Sequence, residues 1–177
     1  MKKRICSITG HPVGSAWLCI ATILLTAACQ PESERSAPQL LTAAELGEQT
    51  ITAVADIRNA APYATADLKR GERLAMQCRA CHSFDAGGPQ LLGPNLAGVF
   101  NRAAGSVAGF PYSGAMLDAD IIWTARAMDA FLTQPFVFLP GTQMAYVGMP
   151  VATDRNALIL FLLHETDIQS RVMESSE

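Results

Sequence analysis

Residues 78–82 read Cys-Arg-Ala-Cys-His, two thiols and an imidazole within five positions. The whole chain has only five cysteines and three histidines, so this is a concentration of reactive groups. Two cysteines three apart sit on one helical turn. From there they can add to the two vinyl groups of a porphyrin, giving two thioether bonds. The histidine after the second cysteine is then held beneath the iron, where a ring nitrogen can bind axially. Cys-x-x-Cys-His is accordingly the attachment sequence of a c-type haem. Other uses of the same residues lack parts. A structural zinc site needs four ligands, whereas His11 and His164 stand in the leader and in the last helix. A thioredoxin-like redox pair needs a βαβ setting, and no strand pattern occurs.

A six-coordinate haem needs a second axial ligand, and methionine gives a high-potential electron-transfer site. Seven methionines are present. Met1 lies in the leader, Met76 beside the attachment site, Met116 and Met128 in expected helices, and Met173 in a polar tail. Met144 and Met149 share a late loop rich in Gly and Pro, and the residues alone leave both as candidates.

The elements that must hold these groups follow from start and stop signals. Asp67 opens a helix, "LKRGERLAMQC", that runs into the first cysteine. A long Gly/Pro-rich stretch follows and reads as ordered loop. "SGAMLDA" and "WTARAMDAFLTQ" predict a short and a medium helix, the second stopped by Pro135. A loop, "FLPGTQMAYVGMP", precedes a last helix starting at Thr153, apolar at every position from 157 to 163. A helix apolar all round is packed on several sides. The expected fold is all-α, three main helices plus short helices and long loops wrapped around one haem. Loops this long need something to pack on, and a large apolar cofactor supplies it.

The N-terminus reads as an export signal. Lys2, Lys3 and Arg4 precede "AWLCIATILLTAA", whose 13 residues are short for a bilayer span of about 20. "LTAAC" resembles a bacterial lipoprotein cleavage box ending at Cys29, although Thr26 stands where leucine is usual. An uncleaved anchor and a plain cleaved signal are the alternatives for residues 1–29. Cys6 and Cys19 fall within the leader, leaving Cys78 and Cys81 for site chemistry in an exported, oxidising setting. Residues 30–41 read as a polar linker. Thr42 and Glu45 form a capping-box pair, and residues 42–65 read as an amphipathic spacer. Its helix runs over 42–61, with Leu46, Ala53, Val54, Ile57 and Ala60 on one face, and Pro62 ends it. The helix either leans on the domain or docks elsewhere. The main domain spans 66–168 and a polar tail 169–177. The formal charge of −3, with no basic stripe, excludes a nucleic-acid partner.

Taken together, "CRACH", "GPNLAGVFNR", "FPYSGAM", "IIW", "FLTQP", "LPGTQM" and the closing apolar helix resemble a class I cytochrome c of the mitochondrial and cytochrome c2 type. The likeness runs from about residue 66 to 166. It implies one covalent haem c, no enzymatic activity, and specific roles. His82 is the proximal iron ligand, Met144 the distal one, and Cys78 and Cys81 the attachment thiols. The carbonyl of Pro94 accepts a hydrogen bond from the proximal imidazole. Arg102, Tyr112 and Trp123 hold a haem propionate, with Thr142 in the same polar network. Leu158, Phe161 and Leu162 form the last helix's core face, crossing the first helix.

The departures from the family pattern matter too. Phe131 stands where a tyrosine reaches the distal methionine, and Met116 where an asparagine helps hold a buried water. Both changes remove polar atoms near the iron. The familiar carriers ring the haem edge with lysines. Here the matching positions include Gln77, Phe136, Val137 and Gln143, and residues 66–177 contain one lysine, Lys69, with eight basic against eleven acidic residues. The resemblance implies a monomeric electron carrier on the periplasmic side of a bacterial membrane, held there by an N-terminal lipid or anchor. Its redox partners would be a quinol-oxidising complex or dehydrogenase and a terminal oxidase. A haem enzyme or sensor with a labile distal ligand, and a fixed subunit of a larger complex, are the competing expectations.

Overall fold

The computed structural model describes residues 40–167. The leader with Cys29, most of the linker and the polar tail lie outside the described residues. Each helix expected from Asp67 onward is present, the last beginning at Ala152, one residue before the expected Thr153. Asp67 caps α2 (Leu68–Arg79), its carboxylate accepting the Arg70 N–H at 2.9 Å. An earlier short helix, α1, spans Val54–Asn59. Ser113 caps α3 (Gly114–Leu117) and Thr124 caps α4 (Ala125–Thr133) in the same manner. Pro135 ends α4 and at once begins the one-turn α5 (Pro135–Phe138), where a missing N–H costs nothing. The last helix, α6, spans Ala152–Glu165. Among the described residues the only β feature is an isolated antiparallel bridge between Ala103 and Ile122, so the all-α expectation holds.

The central contact is the crossing of α2 and α6. It depends on Gly71, where an added Cβ would fall 2.0 Å from the Ala157 carbonyl oxygen and 2.8 Å from the Phe161 Cβ. Leu158, Phe161 and Leu162 are all buried there, as expected. Arg70 clasps Asp154 with two bonds of 2.5 and 2.8 Å at one end of the pair. Arg79 reaches Glu165 at 2.7 Å at the other and lies 4.5 Å above the Phe84 ring. These partly exposed ion pairs add little; the buried side chains between them carry the stability.

The continuous helix expected over 42–61 is not formed. The Thr42–Glu45 capping box is present, but it opens a single 3-10 turn, Ala43–Glu45. Gly47 then takes φ +62°, a left-handed conformation that ends the turn. Residues 47–53 run without helix to α1. What overrides the helical periodicity is burial elsewhere. Leu46 is 2% exposed in the core, Val54 and Ile57 pack against it, and Tyr63, in a second 3-10 turn (Tyr63–Thr65), is buried as well. Residues 40–65 thus share one core with the rest of the described chain, so the segment before residue 66 packs as part of the domain. It also explains the apolar run 157–163. α6 meets α2, α4, α1 and the Tyr63 turn, and every residue from 157 to 163 is buried. No helix among the described residues is long and apolar enough to cross a membrane.

Candidate functional site

Cys78 lies on the last full turn of α2, and the turn continues past the helix end. Both the Cys81 N–H and the His82 N–H donate to the Cys78 carbonyl, at 3.0 and 2.9 Å. His82 is therefore four residues along the same helical face as Cys78. Both thiols are half-buried and not joined to each other. Burial, reinforced by Cys81, pushes the Cys78 thiol up to about 11. A thiol held protonated is the opposite of a redox-active cysteine, whose pKa is lowered. Among the described residues no group of three or more His, Cys, Asp or Glu side chains is placed to hold a metal ion.

The His82 imidazole is fixed from two sides. Its Nδ1 lies 2.7 Å from the Pro94 carbonyl oxygen. A carbonyl only accepts, so Nδ1 carries the proton and Nε2 keeps its lone pair. Burial lowers the pKa of the imidazole, against the Pro94 hydrogen bond that raises it, and the ring is neutral at pH 7. Gly93 backs the ring so closely that a Cβ there would sit 2.2 Å from the His82 Cε1. The Gly93 N–H also donates to the Cys81 carbonyl at 2.8 Å, locking the loop to the attachment turn. A neutral imidazole, oriented by a backbone carbonyl and offering Nε2, is the arrangement a metal-binding histidine requires. With two thiols on the adjacent turn, these residues fit a covalently held haem.

The remaining expected site residues fall into two groups. Arg102 is half-buried and donates to the carbonyls of Ala97 (2.8 Å) and Asn95 (3.1 Å). Burial lowers its pKa, and the nearby Tyr112 acts in the other direction. The Trp123 backbone N–H donates to the Arg102 carbonyl at 2.9 Å, and the Tyr112 phenol lies near enough to the Arg102 guanidinium for each to shift the other's pKa. Trp123 also begins an aromatic row, 5.1 Å from Phe131, which lies 5.8 Å from Phe138. In the second group, Thr142 is buried and its hydroxyl oxygen accepts the Met144 N–H at 3.4 Å. Met144 is half-buried at the edge of the core. Met149 is 7% exposed, and its backbone is tied into the core through Leu132 and Arg155.

Sequence reasoning passed over several residues at this site. Tyr146, two places after Met144, is partly buried and its phenol pairs with the Gln77 side chain. Burial raises its pKa first, Cys78 adds to this, and the Gln77 bond opposes it. Gly93 was hidden because a close backbone approach leaves no mark except the glycine itself. The grip of residues 46–52 on the Trp123 segment was hidden by a pattern that reads as helix.

No family model matches the chain. Individual relatives do. A cytochrome c of Kluyveromyces lactis is 38% identical over 104 residues, which cover 58% of this chain and 94% of the relative. A cytochrome c-type cyt cy of Rhodobacter capsulatus is 42% identical over 99 residues, 55% of this chain and 49% of the relative. A cytochrome c homolog of Bradyrhizobium diazoefficiens is 39% identical over 99 residues, 55% of this chain and 54% of the relative. The matched region thus spans nearly all of the yeast protein but about half of each bacterial one.

Proposed function

The chain belongs to the cytochrome c family, whose members are haem-bearing electron carriers and not enzymes, and on that premise we propose that it is a single-haem carrier of a bacterial envelope with His82 and Met144 as axial ligands. The observation that carries the reading is the His82 ring, its Nδ1 held by the Pro94 carbonyl, on the turn that carries Cys78. The covalently attached haem c supplies one-electron redox chemistry. The chain's residues decide how it is held. Cys78 and Cys81 bind it covalently, and His82 offers Nε2. Arg102, Tyr112 and Trp123 meet its propionate, with Thr142 steadying the backbone at Met144. Of the two loop methionines, Met149 is committed to the core and Met144 stands at its edge. With Phe131 and Met116 supplying no hydroxyl or amide, water is kept from the distal side.

The rim favours apolar docking. Gln77 and Gln143 are exposed, Phe136 is 50% exposed and Val137 is half-buried, so no lysine ring attracts a partner from a distance. The leader reading accounts for this: a carrier anchored at the periplasmic face gains effective concentration near its partners. Those partners would be a quinol-oxidising complex or dehydrogenase as donor and a terminal oxidase as acceptor. The fixed-subunit alternative needed a free docking helix over 42–61, yet Leu46, Val54 and Ile57 turn toward the protein's own core. Carbon monoxide tests the carrier against the enzyme or sensor alternative. A ferrous holoprotein with both axial positions filled keeps its spectrum under carbon monoxide at neutral pH. Rapid carbon monoxide binding would identify an open or labile distal side and overturn the reading.

A further inference from the structure

Residues 46–52 hold, at three points, the two chain segments that carry Arg102 and Trp123. Those segments run antiparallel. The Trp123 N–H donates to the Arg102 carbonyl (2.9 Å), and the Asn101 N–H donates to the Trp123 carbonyl (3.0 Å). Next to them the Ala104 N–H reaches the Ile121 carbonyl at 2.8 Å. The Gln49 side chain closes on one segment with both ends of its amide. Oε1 accepts the Ile122 N–H at 2.6 Å, and Nε2 donates to the Asp120 carbonyl at 2.9 Å. On the other segment the Asn101 side chain donates to the Thr52 carbonyl at 2.7 Å. Arg126 fixes the strap itself, donating to the Leu46 carbonyl at 2.9 Å, with the Leu46 side chain buried.

The segments need such a grip. Asn101 has φ 62° and Asp120 has φ 46°, left-handed conformations that are uncommon outside glycine and persist where surroundings over-determine them. Gln49 and Thr52 bind at or directly beside both residues. We propose that Gln49 is a positioning residue for the propionate-binding pair, fixing the strand register that presents Arg102 and Trp123 together. The inference rests on the reading that Arg102 and Trp123 hold a haem propionate.

The expected consequence is electrostatic. A propionate carboxylate puts negative charge near the iron, and donors from Arg102 and Trp123 offset it. Releasing Gln49 loosens the pair and leaves that charge less offset, which favours ferric iron and lowers the midpoint potential. The test uses the full holoprotein and three variants: Gln49→Met, which keeps side-chain volume without the amide, Arg102→Gln, and the two combined. Gln49→Met is expected to lower the potential and to speed hydrogen exchange of the Ile122 amide at least tenfold. In the double variant the potential falls no further than in Arg102→Gln alone. A potential unchanged in Gln49→Met, with only the denaturation midpoint lowered, overturns the positioning role and leaves the propionate reading intact. An unmoved potential in Arg102→Gln overturns the propionate reading and the inference with it.

Discussion

Gly71→Ala is the sharpest perturbation of the scaffold. The new methyl would lie 2.0 Å from the Ala157 carbonyl oxygen and 2.7 Å from its carbon. Neither atom can swing aside, since both belong to the backbone of α6. Relief to an ordinary contact requires α2 and α6 to part by at least about 1 Å, and a gap of that size forfeits a quarter to a half of the dispersion energy across the contact. The interface includes Ala75 and Leu158, both fully buried, so the loss is not confined to one residue. Overpacking costs about 1–3 kcal/mol, and the higher helix propensity of alanine returns about 1 kcal/mol. With the obstacle rigid, a net loss of about 2 kcal/mol is expected. For a domain of this size that is a fall of roughly 8 °C in Tm. Gly114→Ala in α3 is the control, because nothing lies within 4 Å of its added Cβ. Guanidinium and thermal unfolding of the ferric holoproteins, followed by tryptophan fluorescence, compare the two. A Gly71→Ala protein as stable as Gly114→Ala would refute the close-crossing argument.

Three further outcomes are expected. Arg155, 8% exposed, donates to Asp129 at 2.7 Å and to the Met149 and Pro150 carbonyls at 2.9 Å each; Arg155→Leu strands these acceptors and lowers unfolding stability by about 3 kcal/mol, read from denaturant titration. Burial, with Asp129 adding to it and Arg155 opposing, pushes the Tyr63 phenol up to about 12 from 10. Above pH 10 the unfolded chain loses this proton while the folded chain keeps it, so stability present below pH 10 declines toward pH 12; Tyr63→Phe should lessen that decline in denaturation midpoints measured from pH 9 to 12. Electron transfer to a membrane-bound oxidase should change little between low and physiological ionic strength, and a steep fall in stopped-flow rates with salt would contradict apolar docking.

Much of the scaffold was legible because its signals are local. Asp67 caps the helix it announces, the two helices expected in "SGAMLDA" and "WTARAMDAFLTQ" are formed, and Pro135 stops the second at the expected place. The attachment turn follows from five residues, and the Pro94 carbonyl meets His82 where the family likeness puts it. The segment over 42–61 was misread because its periodicity serves tertiary burial, not a helix. Leu46 and Ile57 reach the same core from either side of a left-handed Gly47, and no local rule reveals this. In sequence Gln49 is one more polar residue among the apolar positions of that segment. Its two backbone partners lie about 70 residues away in sequence, so only the folded chain brings them together. The residues alone left Met144 and Met149 open and the family likeness named Met144; their difference in burial is visible only in the folded chain.

The most direct test of the His82–Met144 assignment is the absorption spectrum of ferric holoprotein from wild type, Met144→Ala and Met149→Ala. The account predicts low-spin iron with a weak sulfur-to-iron charge-transfer band in wild type and in Met149→Ala, and loss of the band in Met144→Ala. High-spin iron in wild type, or a band that survives in Met144→Ala, would contradict it.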